Sequence, residues 1–331
     1  MAPKRVAKEA MGIQPIFLFS ISRSGSTLVQ RIIGAHEGVA TTSEPWLLLP
    51  QAYALRPRGV DAEYVHPLLV AAIEDFCEGL PGGRDDYLDE LRGFVLRLYE
   101  KAAGDGAAYF LDKTPPYCLI AAEIMRLFPE GKFVFLWRNP LSVVASMIET
   151  WGPWHPTFMS SDLFIGLPRL IAAYESNREH VHAARFEDLT GGDEGHWRGL
   201  MDYLGIEFEP DALANFAKIE LGGRMGDPTG RKQYSTLSAE PQQKWKGTLA
   251  NPLRREWCRR YLRFLGAARL ATMGYEIEQI AAELDSQPAN LDSLAADLWQ
   301  AAKDVAKEPV RVRTRGRRLG APSVIRKLLE A

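Results

Sequence analysis

Short, uninterrupted apolar runs alternate along this chain with longer stretches in which apolar residues recur every three or four positions. Four runs read as buried strands: residues 15–20, 108–112 (AYFLD), 132–137 (KFVFLW) and about 181–186 (VHAARF). Between them, helical patterns span residues 27–35, 65–80, 85–103, 117–128 and 141–150. Strands apolar on both faces that alternate with helices predict an α/β protein built on a central parallel β-sheet flanked by helices. In such sheets ligands bind beyond the carboxyl ends of the strands, so the strand exits are the places to search.

No Gly/Pro/Ser-rich tract interrupts the chain before residue 280, and WGPWHP (151–156) and GGRMGDPTGRKQYST (222–236) read as long functional loops rather than boundaries. Past Met273 a helical stretch covers residues 292–308, followed by VRVRTRGRR with its five arginines. The expected division is a main domain over 1–280 and a helical, Arg-rich C-terminal extension over 281–331. A solvated tail, an acidic partner and a homodimer contact all stay open for that extension.

Composition narrows the class. With 331 residues, 46% hydrophobic and 25% charged, and a net charge of −2, the chain has the make-up of a globular protein and no overall basic excess for nucleic acid. No apolar run approaches the roughly 20 residues of a membrane span. The start, MAPKRVAKEAMG, carries lysines without an apolar core, which reads as a cytoplasmic chain. Cys77, Cys118 and Cys258 lie far apart with no CxxC pair, and His36, His66, His180, His182 and His196 form no HExxH spacing, so neither a disulfide framework nor a metal site is expected.

The first strand exits into SISRSGST, residues 20–27. A turn at Gly25 and a helix starting near Thr27 aim backbone N–H groups at one point, where an anion is favoured. Ser24, Ser26 and Thr27 add hydroxyls and Arg23 a cationic fork suited to phosphate or sulfate. A plain helix cap needs one hydroxyl and no arginine. The Walker pattern GxxxxGK[ST] is absent, which weighs against a magnesium-dependent P-loop-like kinase, the alternative reading. The strand at 132–137 exits into WRNPLSVVASMIET: Asn139 suits an N-cap and Pro140 the first helical position, which places Arg138 beside a second helix N-terminus and Ser146 two turns along. Two anion sites at separate strand ends suit a nucleotide phosphorylated at both its 3′ and 5′ positions.

Arg23-Ser24-Gly25-Ser26-Thr27 resembles the 5′-phosphosulfate loop of sulfotransferases that use 3′-phosphoadenosine 5′-phosphosulfate (PAPS), and with LVQRIIGAHEGVATTSEPWLLLP it looks most like the tyrosylprotein sulfotransferases and related bacterial enzymes. The resemblance spans about residues 14–275 and implies a P-loop-like fold and transfer of a sulfuryl group to an acceptor hydroxyl, with adenosine 3′,5′-bisphosphate (PAP) as product. It implies that Arg138 and Ser146, eight positions apart, bind the 3′-phosphate, and that Arg23 and Lys113 (in FLDKTPPY) stabilise the leaving phosphate. Glu44, 21 positions after Arg23, corresponds to the family's general base. The histidine that many cytosolic relatives carry after the second strand is missing from Thr114-Pro115-Pro116-Tyr117, and His155 is the reserve base. A basic-aromatic loop comparable to the relatives' donor-covering loop nominates Tyr234, Lys244 and Trp245 as cofactor contacts. RFEDL (185–189) reads as structural, at the sheet's edge. The acceptor, a small molecule, glycan or lipid hydroxyl, is expected between residues 52–103 and the loop WGPWHPTFMSSDLF (151–164), to which Trp151, Trp154, His155 and Phe158 give an aromatic character.

Overall fold

The computed structural model describes residues 12–311 except 153, 156, 158, 220, 223–224 and 226–242. Tyr234 and Phe158 therefore lie outside the described residues. Five parallel strands, β1 (Gln14–Phe19), β2 (Val39–Thr41), β3 (Tyr109–Asp112), β4 (Lys132–Trp137) and β5 (His182–Arg185), form one sheet in the order β2-β3-β1-β4-β5. β1 is central because both its faces are apolar. Ile16 and Leu18 pack on one side with Val134 and Leu136, while Phe17 and Phe19 stack on the other with Phe133. A strand buried on both faces shows no alternation, which is why these runs stand out in the sequence.

The helices placing the site are α1 (Ser26–Ile33), α2 (Leu48–Tyr53), α3 (His66–Glu78), α4 (Arg84–Ala103), α5 (Ala121–Leu127), α6 (Pro140–Trp151), α7 (Leu167–Glu175), α8 (Phe186–Thr190) and α9 (Glu194–Leu204). α1, α8 and α9 cover the Ile16 face, and α4 to α7 cover the phenylalanine face. The helical pattern at 117–128 divides: Pro115 and Pro116 start a 3-10 turn through Leu119, and α5 begins after it. Ile120, at φ −135° and ψ 17°, is non-helical and separates the two. β2 has no counterpart among the four strands read from the sequence. The chain passes from β1 outward to β2, back to β3, then across to β4, so its direction reverses beside β1, where such sheets bind ligands.

Residue 280 lies inside the helix Ile277–Asp285, whose Ile280 and Leu284 are buried. The last described helix, Leu294–Arg311, is tied to the helix Pro252–Thr272 by a buried ion pair. Asp297 Oδ2 accepts from Arg254 Nε at 2.6 Å and from Asn251 Nδ2 at 3.1 Å. Among the described residues, no helix is long and apolar enough to cross a membrane.

Candidate active site

The loop between β1 and α1 has two left-handed residues in three, Arg23 at φ 68° and Gly25 at φ 87°. Such a turn gathers successive N–H groups toward one point. Gly25 is sterically required as well, because a Cβ there would lie 2.2 Å from Cε2 of Phe186. Ser24, Ser26 and Thr27 are buried around the turn. No side chain caps α1 and its first turn holds no acid, so this N-terminus carries hydroxyls without the carboxylate that would compete with an anion.

The β4 exit meets this loop. Asn139 caps α6, accepting from the amides of Leu141 at 2.9 Å and Ser142 at 3.4 Å. Arg138 is buried; its Nη1 donates to the carbonyl of Arg23 at 2.8 Å and its guanidinium lies 4.7 Å from the centre of the Phe186 ring. About two helical turns past Asn139 the second member arrives: Ser146 Oγ accepts from Arg23 Nε at 3.2 Å. Arg23 also sits 5.7 Å from the Trp151 ring. Arg23, Arg138 and Ser146 thus form one cluster. The RFEDL segment braces it: Glu187 Oε1 accepts from the Asn139 amide at 2.9 Å and Oε2 from Tyr275 at 2.6 Å, while Arg185 pairs with Asp188.

On the other side of β1, Lys113 leaves β3 and is almost wholly enclosed, at 1% exposure. Its Nζ donates to Glu44 Oε1 at 2.9 Å and to Thr27 Oγ1 at 3.4 Å. Glu44 reaches this point because Gln30 of α1 donates to Thr41 Oγ1 at 2.8 Å and to the Thr42 carbonyl at 2.7 Å, while Thr41 Oγ1 donates to the Leu111 carbonyl at 2.8 Å. Behind Lys113, Asp112 accepts from Tyr99 at 2.7 Å, Thr114 at 2.9 Å and Tyr117 at 3.1 Å. Burial pushes the Asp112 carboxyl up to about 6; the three hydroxyl donors and Lys113 pull the other way and lose. Tyr117 in turn accepts from the Leu48 amide at 3.1 Å, which fixes α2 against the site.

Arg23, Lys113 and Glu44 open on one cavity of about 750 Å³, whereas Ser24, Arg138 and Ser146 lie outside its wall. Arg23, Gly25 to Thr27, Lys113 and Glu44 form its polar floor, and Trp46, Tyr53, Trp151 and Met159 its walls. Other expected residues fall elsewhere. Trp154 is a core residue whose ring meets Trp257 edge-on at 6.1 Å, so it does not line the acceptor side. α3 and α4 likewise stand off the cavity, to which residues 52–103 contribute Tyr53 and Gly59. His155 has Thr157 Oγ1 at 3.3 Å from Nδ1 and is not in the cavity wall, nor are Lys244 and Trp245; Trp245 is buried in the core beside α6. The loop 151–164 does reach the cavity, through Trp151, Met159, Ser161 and Asp162; Asp162, not singled out in the sequence, accepts from the Ser22 amide at 3.3 Å.

The signature of the sulfotransferase family matches residues 15–210, more than half of the chain, and the protein belongs to that family. Among characterised relatives, nodulation protein NoeE of Sinorhizobium fredii is 30% identical over 230 residues, covering 62% of this chain and 52% of its own, so the chain spans about half the length of that relative. Protein-tyrosine sulfotransferase 2 of Gallus gallus is 24% identical over 287 residues, covering 79% of this chain and 69% of its own. In three dimensions, the sulfotransferase domain from the curacin biosynthetic pathway superimposes with a TM-score of 0.51 at 21% identity, over 80% of this chain and 98% of that one.

Proposed function

We propose that this sulfotransferase takes PAPS as donor and transfers its sulfuryl group to the hydroxyl of an acceptor bound in the 750 Å³ cavity, with Glu44 as general base. The observation that carries the reading is the Lys113–Glu44 ion pair at 2.9 Å on the floor of that cavity, against the uncapped N-terminus of α1. The residues fit a doubly phosphorylated nucleotide. Ser24, Gly25, Ser26 and Thr27 offer amides and hydroxyls to the 5′ end, and Arg138 and Ser146 offer a cation and a hydroxyl to the 3′-phosphate. Tyr234, Lys244 and Trp245 stay in the proposal as contacts to the adenine of the nucleotide.

When bound, the donor supplies an activated sulfur whose bridging bond to phosphate is broken as the new bond to the acceptor oxygen forms. Glu44 takes the acceptor's proton. Ionised, its carboxylate holds Lys113; once protonated it releases that hold, and the ammonium charge becomes available to the leaving phosphate as negative charge builds there. Arg23 supplies the second cation, oriented by Ser146 and Trp151. The rings of Trp46, Tyr53 and Trp151 suit an apolar or flat hydroxylated acceptor: a small molecule, a glycan or a lipid. A cytoplasmic location belongs to the same proposal.

Calorimetric titration with PAP in the absence of magnesium tests the donor site, with ADP and the Arg138→Ala variant as comparisons. PAP binds and ADP binds weakly; Arg138→Ala loses about ten- to a hundredfold in PAP affinity, since hydrogen bonds to a charged group contribute about 1.5–3 kcal/mol. Glu44→Gln keeps PAP affinity and loses about 10²–10⁴ in turnover. Equal binding of ADP that requires magnesium overturns the assignment in favour of a kinase.

A further inference from the structure

The cavity holds a second carboxylate that the donor site does not use. Asp162 opens a single π turn, Asp162–Gly166, and wide turns of this kind are rare inserts that concentrate at functional sites. Its position is built in from both ends. Met159 adopts a left-handed φ of 48° just upstream, and Gly166 lets the turn approach Cys118, where a Cβ would stand 2.5 Å from the sulfur. Leu163 and Phe164, next in the turn, are buried in the core. The carboxylate is thereby held rigidly at the cavity wall, against the Ser22 end of the phosphate loop.

A carboxylate has about four acceptor positions. Asp162 receives the Ser22 amide at 3.3 Å on Oδ2 and the Ser161 hydroxyl at 3.4 Å on Oδ1, both at the long end of hydrogen-bond range. The other cavity carboxylate, Glu44, is already engaged by Lys113 at 2.9 Å and by Trp46 Nε1 at 3.3 Å. Burial pushes the Asp162 carboxyl up and the nearby Glu44 charge pushes it further, against the pull of Ser22 and Ser161. With the Ser22 amide and hydroxyl and the Ser161 hydroxyl as its donors, the carboxylate keeps acceptor capacity on the cavity side that a ligand donor can use.

We infer that Asp162 is an acceptor-binding residue that selects molecules carrying a second hydrogen-bond donor beside the hydroxyl that Glu44 deprotonates. The inference rests on the proposed sulfuryl transfer for the role of Glu44. It assigns the two carboxylates different work: Glu44 removes a proton from the reacting oxygen, and Asp162 accepts a hydrogen bond from a neighbouring hydroxyl or amine and so fixes which oxygen faces the sulfur.

The test uses phenol and catechol as probes, which differ by one adjacent hydroxyl. Their dissociation constants are measured on the full-length, PAP-saturated protein by quenching of tryptophan fluorescence, in the wild type and in Asp162→Asn. Asparagine keeps an oxygen for the Ser22 amide and turns a donor, rather than an acceptor, to the cavity. The wild type binds catechol about tenfold more tightly than phenol, and Asp162→Asn brings that ratio close to one while leaving PAP affinity within about twofold. A wild-type ratio near one, or a ratio that survives in Asp162→Asn, overturns the inference. Loss of PAP affinity in Asp162→Asn overturns it as well, because the carboxylate then serves the loop rather than the acceptor. If the wild type fails to bind PAP, the donor assignment falls, and the same ratio measured on nucleotide-free protein still decides the role of Asp162.

Discussion

Replacing Gly25 by alanine probes how the two phosphate-binding regions are joined. The backbone there has φ 87°, which costs a non-glycine residue about 1–2 kcal/mol. The new methyl would stand 2.2 Å from Cε2 and 2.3 Å from Cδ2 of Phe186, so the ring or the loop must move. Phe186 is fully buried and carries the Arg138 guanidinium 4.7 Å from its centre; overpacking at such a site costs about 1–3 kcal/mol. Together Gly25→Ala should lose roughly 2–5 kcal/mol from a total stability on the order of 5–15 kcal/mol. Urea unfolding followed by tryptophan fluorescence measures it, and adding Phe186→Leu separates the parts: the smaller side chain relieves the clash and leaves the backbone strain. The double variant should therefore recover about 1–3 kcal/mol relative to additivity. PAP affinity should fall in the single variant by about tenfold or more, because displacing Phe186 also displaces Arg138. A Gly25→Ala variant within about 0.5 kcal/mol of wild type, or strict additivity with Phe186→Leu, would refute this reasoning.

Two further outcomes are expected. The Asp112 carboxyl rises from 3.8 to about 6, so the folded chain holds this proton more tightly than the unfolded chain does. Its contribution is full below about pH 3.8 and is lost as the pH rises through about 6; Asp112→Asn should lack that slope, a difference of roughly 2 kcal/mol between denaturation series at pH 4 and pH 7. Asp297→Ala leaves Arg254 buried without its carboxylate and should cost about 3–5 kcal/mol, with early proteolysis in the helix Leu294–Arg311, whereas the double change Arg254→Met/Asp297→Leu should cost far less. Melting of Asp297→Ala together with the wild type would mean that other contacts dock this helix.

The parts of the fold that announced themselves in the sequence are those governed by short-range rules. Ile16, Leu18, Phe17 and Phe19 fill both faces of β1, and Asn139-Pro140 fixes where α6 starts, which in turn fixes the distance from Arg138 to Ser146. β2 was hidden because three residues among hydroxyls carry no periodicity; Gln30 and the Leu111 carbonyl, distant in sequence, make it a strand. Asp162 was hidden for the same reason, since its meaning depends on Ser22, 140 positions away. Trp154 misled because an aromatic residue in a Pro-rich loop gives no sign of which way its ring turns, and here Trp257 receives it.

The grip of Gln30 on Thr41 and Thr42 has a consequence for how the protein loses activity. The proposed base hangs from the shortest strand, at the rim of the sheet, while the proposed nucleotide contacts hang from the two strands at its centre. Rim segments open locally at lower free energy than central ones. On warming, amide exchange at Val39 to Thr41 should quicken well before exchange at Phe17 or Val134. Over that interval the molecule would still hold its donor but deprotonate nothing, an inactive state reached without global unfolding and reversed on cooling.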